Sequence, residues 1–128
     1  MGTILSVAAG GALGAAARYG LEGWIQRLAG GEFPWGTMVV NVSGSLALGF
    51  LVSWLEVSMA STELRAFLTI GVLGGYTTFS TLTYEAVAMA QDGDWGRAAA
   101  YAVGSLAFGL VAVFGGMALA RALLRRPT

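Results

Sequence analysis

Four stretches of this chain, Met1–Ala17, Phe33–Leu55, Ala66–Tyr84 and Ala98–Ala120, contain no Asp, Glu, Lys or Arg. A bilayer crossing needs about 20 predominantly apolar residues, so stretches of this kind, filling most of a 128-residue chain, leave room for membrane helices and little else. The sequence therefore predicts an all-α integral membrane protein with four spans, at approximately 3–28, 34–56, 63–91 and 95–123, in a single domain. Composition agrees: 56% of residues are hydrophobic and 11% charged, against about 25% charged in soluble domains. The 20 glycines suit helices that pack by close backbone approach in a membrane.

Several function classes fall away on composition. All seven basic residues are arginine, seven acidic residues balance them, and no basic surface is offered to nucleic acid. Cysteine and histidine are absent, which removes disulfides, thiolate and imidazole metal ligands, and the His-activated serine that an intramembrane protease at Ser43 or Ser45 would require. The first apolar stretch lacks the preceding basic residues and following cleavage site of a signal peptide and is read as a retained span. With four spans, Arg65, Arg121, Arg125 and Arg126 share one side and Arg27 and Arg97 the other. That four-to-two bias points the termini toward the cytoplasm but is small enough to permit insertion in both orientations.

The third stretch departs from good helix composition. Its centre reads Gly71-Val72-Leu73-Gly74-Gly75-Tyr76-Thr77-Thr78, and paired glycines followed by paired threonines predict local unwinding. Irregular backbone at membrane depth persists only inside protein or beside water. Pro34 is expected in the first turn of the second helix.

Polar residues recur at helical spacing. Thr37, Asn41 and Ser45 fall every four residues, with Gly49 one turn on. Interhelical hydrogen bonding accounts for Thr37 and Ser45, whereas Asn41, with two donors and an acceptor near mid-span, is an equal candidate for a functional role. Thr77, Thr78, Phe79, Ser80, Thr81, Thr83 and Tyr84 form one run, and Tyr101, Ser105 and Gly109 share a face of the fourth helix. Hydroxyl and amide donors with few cations suit a weakly held anion, although any one hydroxyl can equally bond the carbonyl four residues earlier. Arg18, about 22 Å along a helix from Thr3, either faces a cavity or pairs with Glu22 at i,i+4, and Glu85 carries the same ambiguity. The Gly10/Gly14 and Ser45/Gly49 spacings read as packing faces.

These residues together resemble the Fluc/CrcB fluoride channels: Gly11, Gly14, Ala15, Arg18 and Tyr19; Pro34-Trp35-Gly36-Thr37 with Val40-Asn41 and Gly44; and Gly74-Gly75-Tyr76-Thr77-Thr78-Phe79-Ser80-Thr81 with Glu85. The resemblance implies a passive fluoride channel rather than an enzyme. It implies a multi-pass protein of the cell membrane, working as an antiparallel, dual-topology homodimer with two fluoride pathways along the subunit interfaces. It implies a structural sodium ion at the dimer centre, held by the backbone carbonyls of Gly74 and Thr77. It implies a pathway lined by Asn41, Phe79, Ser80, Thr81, Tyr101 and Ser105, with Thr37, Arg18 and Glu85 alongside. The chain departs from the family at Leu82, where relatives place a second phenylalanine, and at Gly109 and Val113, where relatives often carry hydroxyls. The alternative is a small multidrug-type, proton-coupled antiporter. Such an exchanger needs a carboxylate near mid-span, which the first two stretches lack.

Overall fold

A computed structural model describes residues 1–124; Arg125 and Arg126, counted above in the charge bias, lie outside them. Every regular element in this range is helical. Helix α1 (Gly2–Ala29) ends where Gly30 takes φ 65° and its N–H returns to Gln26 O. The left-handed backbone at this C-terminal position is one that glycine adopts without cost. Helix α2 (Trp35–Val57) begins immediately after Pro34, which stands one residue outside the helix rather than in its first turn. Helix α6 (Trp95–Leu124) opens at Asp94, whose carboxylate accepts from Arg97 N at 3.1 Å. These three helices are long and apolar enough to cross a membrane.

Between α2 and α6 the chain is helical only in pieces. Ser61 caps α3 (Thr62–Ala66) by accepting from Leu64 N. A widened π-helical stretch, Phe67–Val72, leads into α4 (Leu73–Tyr76). Thr77 and Thr78 then leave the helical region for extended conformations before α5 (Phe79–Gln91) starts. The expected irregularity is present within the 71–78 stretch: Gly74 and Gly75 lie inside α4, and the break falls on the two threonines behind them.

Packing against α1 explains why the glycines themselves stay helical. A Cβ on Gly75 would stand 2.6 Å from Gly11 O and 3.1 Å from Gly11 Cα, and one on Gly10 would stand 2.5 Å from Phe67 O. A Cβ on Gly14 would collide with the Val72 carbonyl. The glycines are thus required by backbone-to-backbone approach between α1 and the 67–76 segment, the small-residue packing expected of Gly10 and Gly14. On α2 the glycine facing the break is Gly44, where a Cβ would strike the Thr77 methyl. Gly49 lies against the Val113 carbonyl of α6.

Arg65 closes the far end of α2. The helix has no basic residue in its own last turn; instead Arg65 donates through Nη2 to Leu55 O and to Ser58 O (3.2 Å), and through Nε to Ala60 O (3.2 Å). One carbonyl of the last turn of α2 and two of the connection after it are thus met by a side chain from the next element.

Candidate ion pathway

The break is held from α2. Asn41 Nδ2 donates to Thr78 O at 2.9 Å and Asn41 Oδ1 accepts from Thr78 N at 2.7 Å. One side-chain amide therefore satisfies the Thr78 N–H, which has left the helical ladder, and gives the Thr78 carbonyl an additional donor. The second Nδ2 hydrogen is left for another acceptor. Thr78, buried, turns its hydroxyl to the start of α5, accepting from Thr81 N at 3.2 Å, an N-cap in the usual sense. That hydroxyl also donates to Thr81 Oγ1 at 3.0 Å and stands 3.4 Å from Ser80 Oγ.

The same bonds decide the fate of nearby carbonyls. In an unbroken helix Thr78 N would reach Gly74 O, and Thr81 N would reach Thr77 O. Here the first goes to Asn41 and the second to the Thr78 hydroxyl. The Gly75 carbonyl accepts from Arg18 Nε at 3.1 Å. The Thr77 hydroxyl donates back to Leu73 O at 2.9 Å, which leaves Thr77 with acceptors to offer a ligand, its carbonyl and the hydroxyl lone pairs.

One turn before Asn41, Thr37 lies on the floor of a cavity of about 1060 Å³ that opens between α1, the 30–34 loop and the end of α5. Its hydroxyl is 2.8 Å from Glu85 Oε1 and 3.3 Å from Glu22 Oε1. Tyr101, fully buried in α6, donates to Glu85 Oε2 at 2.6 Å, and its ring meets Phe33 edge-on with centroids 5.4 Å apart. Arg18 and Glu85 line this cavity with Glu22. Of the two readings open for Arg18, the cavity-facing one holds: its Nε is on the Gly75 carbonyl, and no ion pair with Glu22 forms among the described residues.

A second cavity, about 560 Å³, runs along the outer face of the break. Asn41, Ser45, Gly74, Thr77, Thr78, Phe79, Leu82, Ser105 and Gly109 contribute to its walls. Ser45 reverts to local bonding, donating to Asn41 O at 2.8 Å. Ser105 does not: among the described residues its Oγ is the one buried side-chain polar atom without a hydrogen-bond partner. Phe79 projects outward and is 80% exposed, and Gly74 is exposed beside it. Ser80 and Thr81 gather on the Thr78 hydroxyl and line neither cavity.

The structure thus joins Thr37, Glu85 and Tyr101 at one level and Asn41, Phe79 and Ser105 at the next. Three contributors are not singled out by the sequence. Thr78 is one hydroxyl in a run there, and its N-cap role depends on where the break falls. Glu22 reads only as a partner for Arg18. Gln26 holds the 30–36 loop at the cavity rim, donating through Nε2 to Gly31 O (3.1 Å) and Phe33 O (3.0 Å) and accepting from Gly36 N (3.2 Å). A lone glutamine in a helix gives no sign of such a task.

Comparison with known proteins adds an independent observation. Residues 5–117 match the family model described as CrcB-like protein, Camphor Resistance (CrcB). The chain is similar to the fluoride-specific ion channel FluC of Rhizobium meliloti (strain 1021), with 48% identity over 125 residues covering 97% of this chain and all of that protein. It is 48% identical over 120 residues to a protein of that name from Thermus thermophilus, covering 94% of each. With the Geobacter sulfurreducens protein of that name it shares 45% identity over 124 residues, 96% of this chain and 100% of that one.

Proposed function

This chain belongs to the CrcB-like family, and on that premise we propose that it is a passive, fluoride-selective channel of a cell membrane. The observation that carries the reading is the outer groove. Ser105 Oγ has no partner there among the described residues, Asn41 keeps an unused amide hydrogen, and Phe79 stands beside both. Donors without acceptors are what a small anion needs in place of its hydration shell, and the positive edge of an aromatic ring adds a further favourable contact.

The groove also argues for a dimer. Gly74, Phe79 and Leu106 are exposed beside the polar side chains of Asn41 and Thr77 in a largely apolar groove, and polar backbone facing lipid is costly. A second copy covering this face turns the groove into an enclosed path, and we infer four crossings per subunit with the two subunits antiparallel, as the small arginine bias permits. The broken segment 62–91 supplies the remaining crossing, its gap satisfied by Asn41 and not by lipid.

A sodium ion at the dimer centre fits the donor set. The Gly74 and Thr77 carbonyls are left by the break without their helical donors, and hard cations take carbonyl oxygens. Such an ion would bind the two breaks together. Because the ligands in this reading are backbone carbonyls, Thr77→Ala is expected to retain the ion. A side chain at Gly74 would meet only Thr69 O, at 4.0 Å, within its own chain, so Gly74→Leu should leave the subunit fold intact and dissociate the dimer. Size-exclusion chromatography in detergent, in sodium and after dialysis into a large organic cation, checks both. An unchanged Gly74→Leu dimer, indifferent to sodium, would contradict the central site.

The physiology follows from acid–base chemistry. Neutral hydrogen fluoride crosses bilayers, ionises at the higher internal pH and is trapped as fluoride. With the interior negative, one anion moves outward with about 2.3 kcal/mol per 100 mV, so an open, selective path suffices without a coupling ion. Expression in a bacterium stripped of its own fluoride exit route should restore growth in fluoride-containing medium. Failure of correctly inserted protein to do so would count against the reading.

A further inference from the structure

The cavity at the Thr37 level is lined by five carboxylates (Glu22, Glu32, Glu85, Asp92 and Asp94) and two guanidiniums (Arg18 and Arg97), an unfavourable balance for a mouth that admits anions. Several of these charges have partners, and Asp92, which has none among the described residues, is exposed. Arg97 lies 3.3 Å from Asp94 and 3.8 Å from Glu32, and Glu85 accepts from both Thr37 and Tyr101. Glu22 differs. Among the described residues its one side-chain hydrogen bond is to the Thr37 hydroxyl at 3.3 Å, whose single hydrogen has a closer acceptor in Glu85 at 2.8 Å. No cation among those residues pairs with it or with Glu85, but Glu85 has two hydroxyl donors to itself and Glu22 has none. A carboxylate held at the floor of a water-accessible cavity, facing the first hydroxyl of the polar stripe and uncompensated, acts on an approaching anion through its field.

We infer that Glu22 restrains anion access: its charge lowers the occupancy of fluoride at the Thr37 level and sets the channel's dependence on ionic strength. The inference rests on the channel reading above. A unit charge about 6 Å from an anion in water changes its occupancy about threefold, and more in a partly dehydrated mouth. The effect is screened as the Debye length falls from about 30 Å at 0.01 M to about 3 Å at 1 M ionic strength.

The test is fluoride efflux from liposomes, per folded protein, at about 0.01 M and about 1 M ionic strength set with an impermeant salt. Glu22→Gln and Glu22→Ser are expected to raise flux about threefold or more at the lower ionic strength and to converge on the unmodified protein at the higher. Glu22→Asp should stay near the unmodified protein at both. Glu56→Gln, the same charge change at an exposed position at the other end of α2, controls for net charge. The unmodified protein gives a test that needs no variant: its flux at fixed fluoride should rise as impermeant salt is added. Flux that does not rise with salt, or a gain in the neutral variants that persists undiminished at the higher ionic strength, would overturn the inference. If the unmodified protein passes no fluoride above protein-free liposomes, the channel reading fails instead.

Discussion

Asn41→Ala is expected to remove fluoride flux and to lower the yield of folded protein together. Both handles of the side-chain amide are committed to the Thr78 peptide group, at 2.9 and 2.7 Å. Removing them orphans the Thr78 N–H and takes one donor from the Thr78 carbonyl inside a membrane protein, where an unmet buried group costs about 1–3 kcal/mol. Water cannot substitute at that depth without reshaping the break. Asn41→Asp should also fail, because it keeps the acceptor for Thr78 N but sets a carboxylate oxygen against the Thr78 carbonyl. Thermal unfolding in detergent and flux per folded protein read the two consequences. An Asn41→Ala protein as stable as the original would show that the break is held by something else.

Phe79→Ile should give the opposite pattern, lost flux with retained folding. The ring is 80% exposed within the subunit, so shortening it leaves no subunit cavity and changes subunit stability little. It stands in the outer groove with Asn41 and Ser105, where isoleucine preserves apolarity and offers no positive ring edge. A fall in flux of at least about tenfold, equivalent to about 1.4 kcal/mol of barrier, is expected. Leu82→Phe should be tolerated, since Leu82 lines the same roomy groove. Undiminished flux in well-folded Phe79→Ile protein would remove the aromatic edge from the mechanism and leave Asn41 and the hydroxyls to coordinate the ion.

The helices are legible in the sequence because their signals are local. Absence of charge marks their interiors, and Pro34, Gly30 and Asp94 mark their ends within a residue or two. The fourfold spacing of Thr37 and Asn41 puts them on one face, as the structure has them. The break falls inside the stretch its composition marks, but on the threonines and not on the glycines. Paired glycines look like a site of unwinding, but Gly75 is small because Gly11 lies against it, and the chain opens at Thr77–Thr78 because Asn41 stands ready to receive Thr78. That partnership spans 37 residues, and no local window contains it. The same holds for Arg18: the spacing to Glu22 suggests a helical pair, yet the carbonyl it reaches is 57 residues away. Glu22 consequently stands without the cation that its neighbourhood in sequence promises. Ser45 takes the local bond open to any helical serine, while Ser105, identical in type and also within a long helix, does not. Which hydroxyl stays free depends on packing between α2 and α6, and periodicity alone does not reveal it.

The central claim, that this groove conducts fluoride passively and selectively, is tested most directly by loading liposomes carrying the purified protein with fluoride or with chloride and following efflux with ion-selective electrodes once an ionophore relieves the counter-charge. The account predicts rapid fluoride efflux down its gradient, dependent on the protein and independent of any proton gradient, with chloride no faster than from protein-free liposomes. Equal efflux of the two anions, or fluoride efflux only when a proton gradient is imposed, would contradict it.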